Sequence, residues 1–315
     1  MRKRLPILLL LLIASLLPGR AQVLWSYRDS VPEGYNFLLY LPAGADTVST
    51  PLPTVLFLHG KSLCGDDLND VLRYGTVDAI RRGLPLDAVV IAPQTSVVGW
   101  EADRLDRVVD FVNRKFPCDT NRFYVIGMSM GGWGTLKMVH HYPHKVAAAL
   151  AMCGGYAEPS VSGLSEVPLW IIHGFRDTVT AVSYSATLVK QLYDNGMGTR
   201  LIYDQPACGH SELARVFYLP ELYKWLFEHN LQDAGRPVSL KYTFTEEKMN
   251  AAYGRLDPAK ALDLVPKRAP FVPDRRPEPE PPKEITSWEE LPPFIEWDWT
   301  KTQRSAVPPV PVRWW

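Results

Sequence analysis

Cysteine is scarce, with four residues in a chain of 315, and none stands in a CxxC spacing or beside a histidine at ligand spacing. A structural zinc therefore has little support, and no cofactor or metal is expected. Net charge is also missing: 34 basic residues balance 34 acidic ones. That removes the electrostatic pull that nucleic acids or membrane surfaces would need. No internal repeat occurs, and a single long apolar run is present, "LPILLLLLIASLL" near the start. Its roughly 13 residues fall short of the ~20 that span a bilayer. With "MRKR" before it and the small residues Gly19 and Ala21 after it, the run reads as an export signal over residues 1–21, cleaved after Ala21. No cysteine follows the run to carry a lipid, so the mature protein is expected to be secreted or periplasmic, without stable membrane insertion. In that oxidising setting four cysteines allow three pairings, and nothing in the spacing chooses among them. Cys64, Cys153 and Cys208 each follow a predicted strand, whereas Cys118 precedes one.

What is present is a regular alternation. "YNFLLYLP", "PTVLFLHG", "AVVIAPQ", "RFYVIGMS", "VAAALAMCGG", "VPLWIIHG" and "TRLIYD" are short runs of branched and aromatic residues. Helical patterns separate most of them; "EADRLDRVVDFVNRKF" places Leu105, Val108, Val109, Val112 and Phe116 on one stripe. Further helices are expected near 66–82, 131–142, 181–195 and 212–229. Alternation of this kind implies a mainly parallel, doubly wound sheet covered on both faces. Residues 22–230 are read as one α/β domain. From 231 to 315 the composition changes: 14 of the 28 prolines and five of the ten tryptophans lie there. Prolines favour extended segments, but so many aromatics do not suit a purely disordered tail. The tail reads as an arm docked on the body or on a protein partner. It has room for two short helices, "TEEKMNAAYG", capped by Thr245 and ended at Gly254, and "SWEEL".

The chemistry centres on "VIGMSMGGWG", which contains a G-x-S-x-G at Gly127 to Gly131 between a strand and a helix. A strand that turns sharply into a helix exposes its turn residue, here Ser129, at the carboxyl edge of the sheet. A serine hydroxyl needs a base to take its proton and an acid to orient that base, and on this architecture the chain order is Ser, Asp or Glu, His. "VPLWIIHGFRDTVT" supplies Asp177 and "TRLIYDQPACGHSEL" supplies His210, each in a loop after a strand. His140, His141 and His144 lie at the far end of the helix after Ser129. His229 ends the last helix of the body, and His59 and His173 suit packing roles at strand ends. Charge developing on a substrate oxygen would meet the backbone N–H groups of Met130 and, after "VLFLHG", of Lys61. Trp100 and Tyr156 are candidates for an aromatic platform under the substrate.

"DTNRFYVIGMSMGGWGTLKMVHHYPHKVAAALAMCGGY", with "LFLHG", "WIIHGFRD" and "CGHSELARVFYLPELYKWL", resembles the secreted bacterial α/β-hydrolase esterases. Feruloyl-esterase and polyhydroxybutyrate-depolymerase-like carboxylesterases, related to dienelactone hydrolases, are the nearest groups. The resemblance runs from about Tyr35 to His229 and implies a serine carboxylesterase. Two departures line the expected cleft. Lys61-Ser62-Leu63-Cys64-Gly65 replaces a common Ala-Gly-Glu-like loop, and Glu212-Leu213 stands where a tryptophan often follows the histidine. Gly155–Val167 is too short for a lid domain, so the expected substrate is a small or polymeric carboxylic ester, such as a feruloyl or acetyl ester on a polysaccharide. A serine peptidase of the same fold and a non-catalytic exported binding protein are the alternatives.

Overall fold

The apolar runs condense into one nine-stranded sheet in the computed structural model, which describes residues 21–45, 50–242, 244–256 and 264–275. The strands are β1 (Val23–Tyr27), β2 (Asn36–Leu41), β3 (Leu52–Leu58), β4 (Val89–Gln94), β5 (Cys118–Met128), β6 (Ala148–Met152), β7 (Leu169–Ile172), β8 (Leu201–Asp204) and β9 (Lys267–Arg268). Their order is β8-β7-β6-β5-β3-β4-β2-β1-β9. Strands β3 to β8 run parallel, and β2 joins antiparallel to both β1 and β4. The fold is that of an α/β-hydrolase. All seven strand-like runs of the sequence appear as β2 to β8; β1 and β9 extend the sheet at one edge.

Among the described residues six α-helices cover the sheet: α1 (Thr76–Arg81), α2 (Ala102–Lys115), α3 (Met130–His141), α4 (Val182–Asp194), α5 (Pro220–Phe227) and α6 (Glu246–Arg255). Because side chains alternate along a strand, β3 sends Val55 and Phe57 to one core and Leu56 and Leu58 to the other. The first core receives Val77 and Ile80 of α1, Leu222 of α5 and Met249 of α6. The second receives the expected stripe of α2 together with Leu136 and Val139 of α3 and Leu188 of α4. Central strands buried on both faces must be apolar, as β6 is throughout and β4 is up to Gln94, whose side-chain amide donates to the carbonyls of Leu63 and Asp67. From β3 the chain crosses to β4 on one side, then returns to β5 on the other. The carboxyl ends of β3 and β5 thus flank a topological switch point, where open α/β sheets bind ligands.

The body does not end at residue 230, where the sequence places its boundary; one compact unit runs to Arg276. The Leu231 N–H donates to the Asn121 carbonyl at 3.0 Å, and that of Val238 to the Thr199 carbonyl at 2.9 Å. The Arg236 guanidinium donates to the carbonyls of Val146 and Ala147. Helix α6 buries Met249 and Ala252, and β9 pairs with Trp25 and Ser26 of β1. Thr245 caps α6 as expected, accepting from the Lys248 N–H, but the helix continues through Gly254 to Arg255. Residues 1–20 of the expected export signal, "SWEEL" and the five tail tryptophans lie outside the described residues. Among the described residues no helix is long and apolar enough to cross a membrane. No disulfide joins the four cysteines.

Candidate active site

Strand β5 hands over to α3 at Ser129, whose backbone sits at φ 57° and ψ −123°. An L-residue adopts that conformation only when its surroundings impose it. Two hydrogen bonds do so: the Ser129 N–H donates to the Met152 carbonyl at 2.8 Å, and the Trp133 N–H donates to the Ser129 carbonyl at 3.1 Å. The flanking glycines make the turn possible. A Cβ on Gly131 would lie 1.9 Å from the Leu58 carbonyl oxygen, and one on Gly127 would lie 2.3 Å from the Gly131 oxygen. Strand and helix approach too closely here for any side chain.

The loops after β7 and β8 bring the other two residues to Ser129. His210 Nε2 lies 3.0 Å from Ser129 Oγ, and His210 Nδ1 lies 2.6 Å from Asp177 Oδ2. An ionised carboxylate only accepts, so Nδ1 carries the proton and Nε2 is left to accept from the serine hydroxyl. Burial opposes charge on Asp177. The N–H of Thr180, the His210 ring and the N–H of Val179 together outweigh it and hold the carboxyl below its usual range. Oδ1 accepts both backbone bonds at 2.8 Å, which leaves Oδ2 for the histidine. The arrangement can draw a proton from the hydroxyl towards an imidazole that is fixed in tautomer and orientation.

Met130 opens α3, and Lys61 opens a short 3-10 turn, Lys61–Leu63, directly after β3. As first residues their N–H groups have no acceptor within their own helices. A Cβ on Gly60 would stand 3.5 Å from that of Ser129, so the turn begins beside the hydroxyl. The Lys61 side chain is exposed.

Both members of the expected aromatic platform are placed elsewhere. Trp100 is 4% exposed, with its ring 4.8 Å from that of His59 and 5.1 Å from that of Tyr35. Its indole N–H donates to the His59 carbonyl at 3.3 Å, so it is a core residue with no face for a substrate. The Tyr156 hydroxyl lies 2.6 Å from His140 Nδ1 and donates to the Ser160 carbonyl. At 1.5 Å per residue along α3, His140 is about 15 Å from the Ser129 end of that helix. Tyr156 therefore belongs to the far end.

Three further side chains surround the centre: Tyr74 and Trp133, which the sequence does not single out, and His173, which it assigns to packing at a strand end. The Tyr74 hydroxyl accepts from the Gly60 N–H at 2.9 Å and so holds the start of the Lys61 turn. His173 is buried, with Nδ1 2.7 Å from Ser185 Oγ and Nε2 3.0 Å from the Thr180 carbonyl. It buttresses the Asp177 loop; burial lowers its basicity. Trp133, one helical turn beyond Ser129, packs edge-on against Tyr184 with ring centroids 5.4 Å apart. For Trp133 the i, i+4 spacing from Ser129 is a signal in the sequence, whereas nothing local marks Tyr74.

The comparisons agree with this architecture. The sequence profile of the Esterase family, described as "Putative esterase", matches residues 29–205. A bifunctional acetylxylan esterase/xylanase from Neocallimastix patriciarum is 34% identical over 165 residues, which is 49% of this chain and 23% of that protein. The chain thus spans about a quarter of that relative's length. Among solved structures, a thermostable esterase superposes with a TM-score of 0.52 at 23% identity, covering 66% of this chain and 63% of its own. An S-formylglutathione hydrolase from Staphylococcus aureus gives 0.52 at 18% identity over 66% of this chain and 98% of its own. A ferulic acid esterase gives 0.50 at 14% identity over 66% and 97%. At these identities the structures speak for the fold.

Proposed function

The chain belongs to the Esterase family, and from that membership we propose an exported serine carboxylesterase that works through an acyl-enzyme on feruloyl or acetyl esters of a polysaccharide. The observation that carries this reading is the unbroken line Ser129 Oγ to His210 Nε2 (3.0 Å) and His210 Nδ1 to Asp177 Oδ2 (2.6 Å). In the proposed reaction Ser129 Oγ attacks the ester carbonyl as His210 Nε2 takes its proton. The resulting oxyanion accepts from the N–H groups of Met130 and Lys61. Asp177 stabilises the imidazolium, which returns its proton to the departing alcohol. Water, deprotonated by the same nitrogen, then releases the acid and restores Ser129. A bulky or polymeric substrate is supported by the segment between β6 and β7, whose sole regular element is the turn Ser162–Leu164. No lid stands there, and the acetylxylan activity named for the relative points to a carbohydrate ester.

The test is a panel of acetylated and feruloylated xylo-oligosaccharides, p-nitrophenyl acetate and peptide amides, with fluorophosphonate labelling alongside. Ester turnover with serine labelling is expected. Faster cleavage of the amides would make the protein a peptidase, and no turnover with no labelling would leave a binding protein.

The Lys61 turn offers a finer test. Tyr74→Phe removes the acceptor of the Gly60 N–H and loosens the donor loop beside Ser129. A lost hydrogen bond of about 1 kcal/mol corresponds to a roughly fivefold lower kcat, with KM little changed. Initial-rate kinetics on p-nitrophenyl acetate measure this, and an unaltered kcat would show that the loop is held by other contacts.

A further inference from the structure

Cys153 takes no part in that proton path, yet it stands directly behind it. It follows β6, its N–H donates to the Ile172 carbonyl at 2.8 Å, and its φ of 39° lies in the left-handed region. The side chain is fully buried and adjoins the Ser129 backbone. One ligand atom each from Cys153, Asp177 and His210 lie within 4.8 Å of one another. A thiol, an imidazole and a carboxylate form a donor set suited to zinc-like cations. In a tetrahedral shell such donors stand roughly 3.5 Å apart, so closing on an ion requires movements of at most about 1 Å. His210, whose side chain is 13% exposed, provides the way in.

We propose that Cys153, Asp177 and His210 form an inhibitory site for thiophilic divalent cations such as Zn²⁺ and Cd²⁺. The cation displaces the thiol proton to solvent and binds the thiolate, the Asp177 carboxylate and one imidazole nitrogen, leaving a fourth position to water. If it takes Nδ1, the proton there moves to Nε2, which can then no longer accept from Ser129. If it takes Nε2, the lone pair that serves as base is occupied. Either geometry stops the proton transfer. Mg²⁺ and Ca²⁺ seek six or more oxygen ligands and do not fit this set.

The experiment measures p-nitrophenyl acetate hydrolysis against Zn²⁺, Cd²⁺, Mg²⁺ and Ca²⁺ at constant ionic strength. Zn²⁺ and Cd²⁺ are expected to inhibit reversibly, with activity restored by a chelator, and Mg²⁺ and Ca²⁺ to have no effect. Cys153→Ser should raise the half-inhibiting Zn²⁺ concentration at least ~10-fold, the scale on which even outer partners of a bound metal count. Cys208→Ser should leave it unchanged. Equal sensitivity in Cys153→Ser, or relief in Cys208→Ser instead, overturns the site. In the unsubstituted protein the thiolate-to-Cd²⁺ charge-transfer absorption should grow in step with loss of activity; inhibition without that band also overturns it. The inhibition arm rests on the esterase reading, whereas the absorption arm reports binding even if no ester is turned over.

Discussion

Replacing Ser129 by alanine lowers ester turnover by ~10⁴- to 10⁶-fold, the loss seen when a triad nucleophile is removed, and leaves the fold in place. The hydroxyl is the sole atom group lost, and with it go the bond to His210 Nε2 and any covalent intermediate. Alanine inherits the same φ of 57°, so the backbone strain at this position is neither relieved nor increased. Glycine separates the two roles of the site. Ser129→Gly removes the Cβ that makes this conformation costly and is expected to melt higher than the parent while being equally inactive. That combination would identify the strain as a cost carried for function rather than a feature of the scaffold. The measurements are kcat on p-nitrophenyl acetate, fluorophosphonate labelling and thermal unfolding followed by circular dichroism. Turnover of Ser129→Ala within tenfold of the parent would remove Ser129 as the nucleophile.

The candidate triad is legible in the sequence because each residue sits in a loop after an apolar run, and parallel strands bring such loops to one edge. Local pattern plus topology suffices there. Trp100 shows where that reasoning stops. Composition cannot tell which way an indole points, and its burial depends on Gly134 of α3, where a Cβ would stand 2.5 Å from the indole Cδ1. The space that Trp100 fills is made by a missing side chain on a distant element of the chain. Tyr156 fails for a related reason. It follows β6 at the correct edge, but its hydroxyl reaches back along α3 to His140. The same non-locality hides Tyr74, which holds the turn bearing Lys61 from a loop that has no strand or motif of its own.

The boundary near residue 230 is misplaced on physical grounds that also make the strongest stability prediction. Prolines after Leu231 leave only short patterns such as "TEEKMNAAYG", none of them a strand or amphipathic stripe large enough to form a core of its own. None needs to, because each is completed by the body. Phe244, Met249 and Leu264 are 8%, 0% and 6% exposed and all enter the core that contains Phe217 and Leu222. Tyr253 packs edge-on against Tyr218 at 4.9 Å, with the Arg82 and Arg215 guanidinium groups over its ring. Lys115 ties the last described stretch to α2 through Asp274 at 2.7 Å. A chain ending at Asp233 loses, besides Ala252, three large buried apolar side chains at ~1.5–3 kcal/mol each, roughly 5 to 9 kcal/mol. That is comparable to the whole stability of an ordinary domain, about 5–15 kcal/mol. The surface laid bare includes Tyr218, in the 3-10 helix Ser211–Tyr218 that starts immediately after His210, so the site should fail with the fold. The expected result is a chain ending at Asp233 that is insoluble or melts far below the parent and hydrolyses no ester, beside one ending at Arg276 that keeps both properties. Cooperative melting of the shorter chain at the parent's temperature would mean that residues 234–275 rest on the body without supporting it.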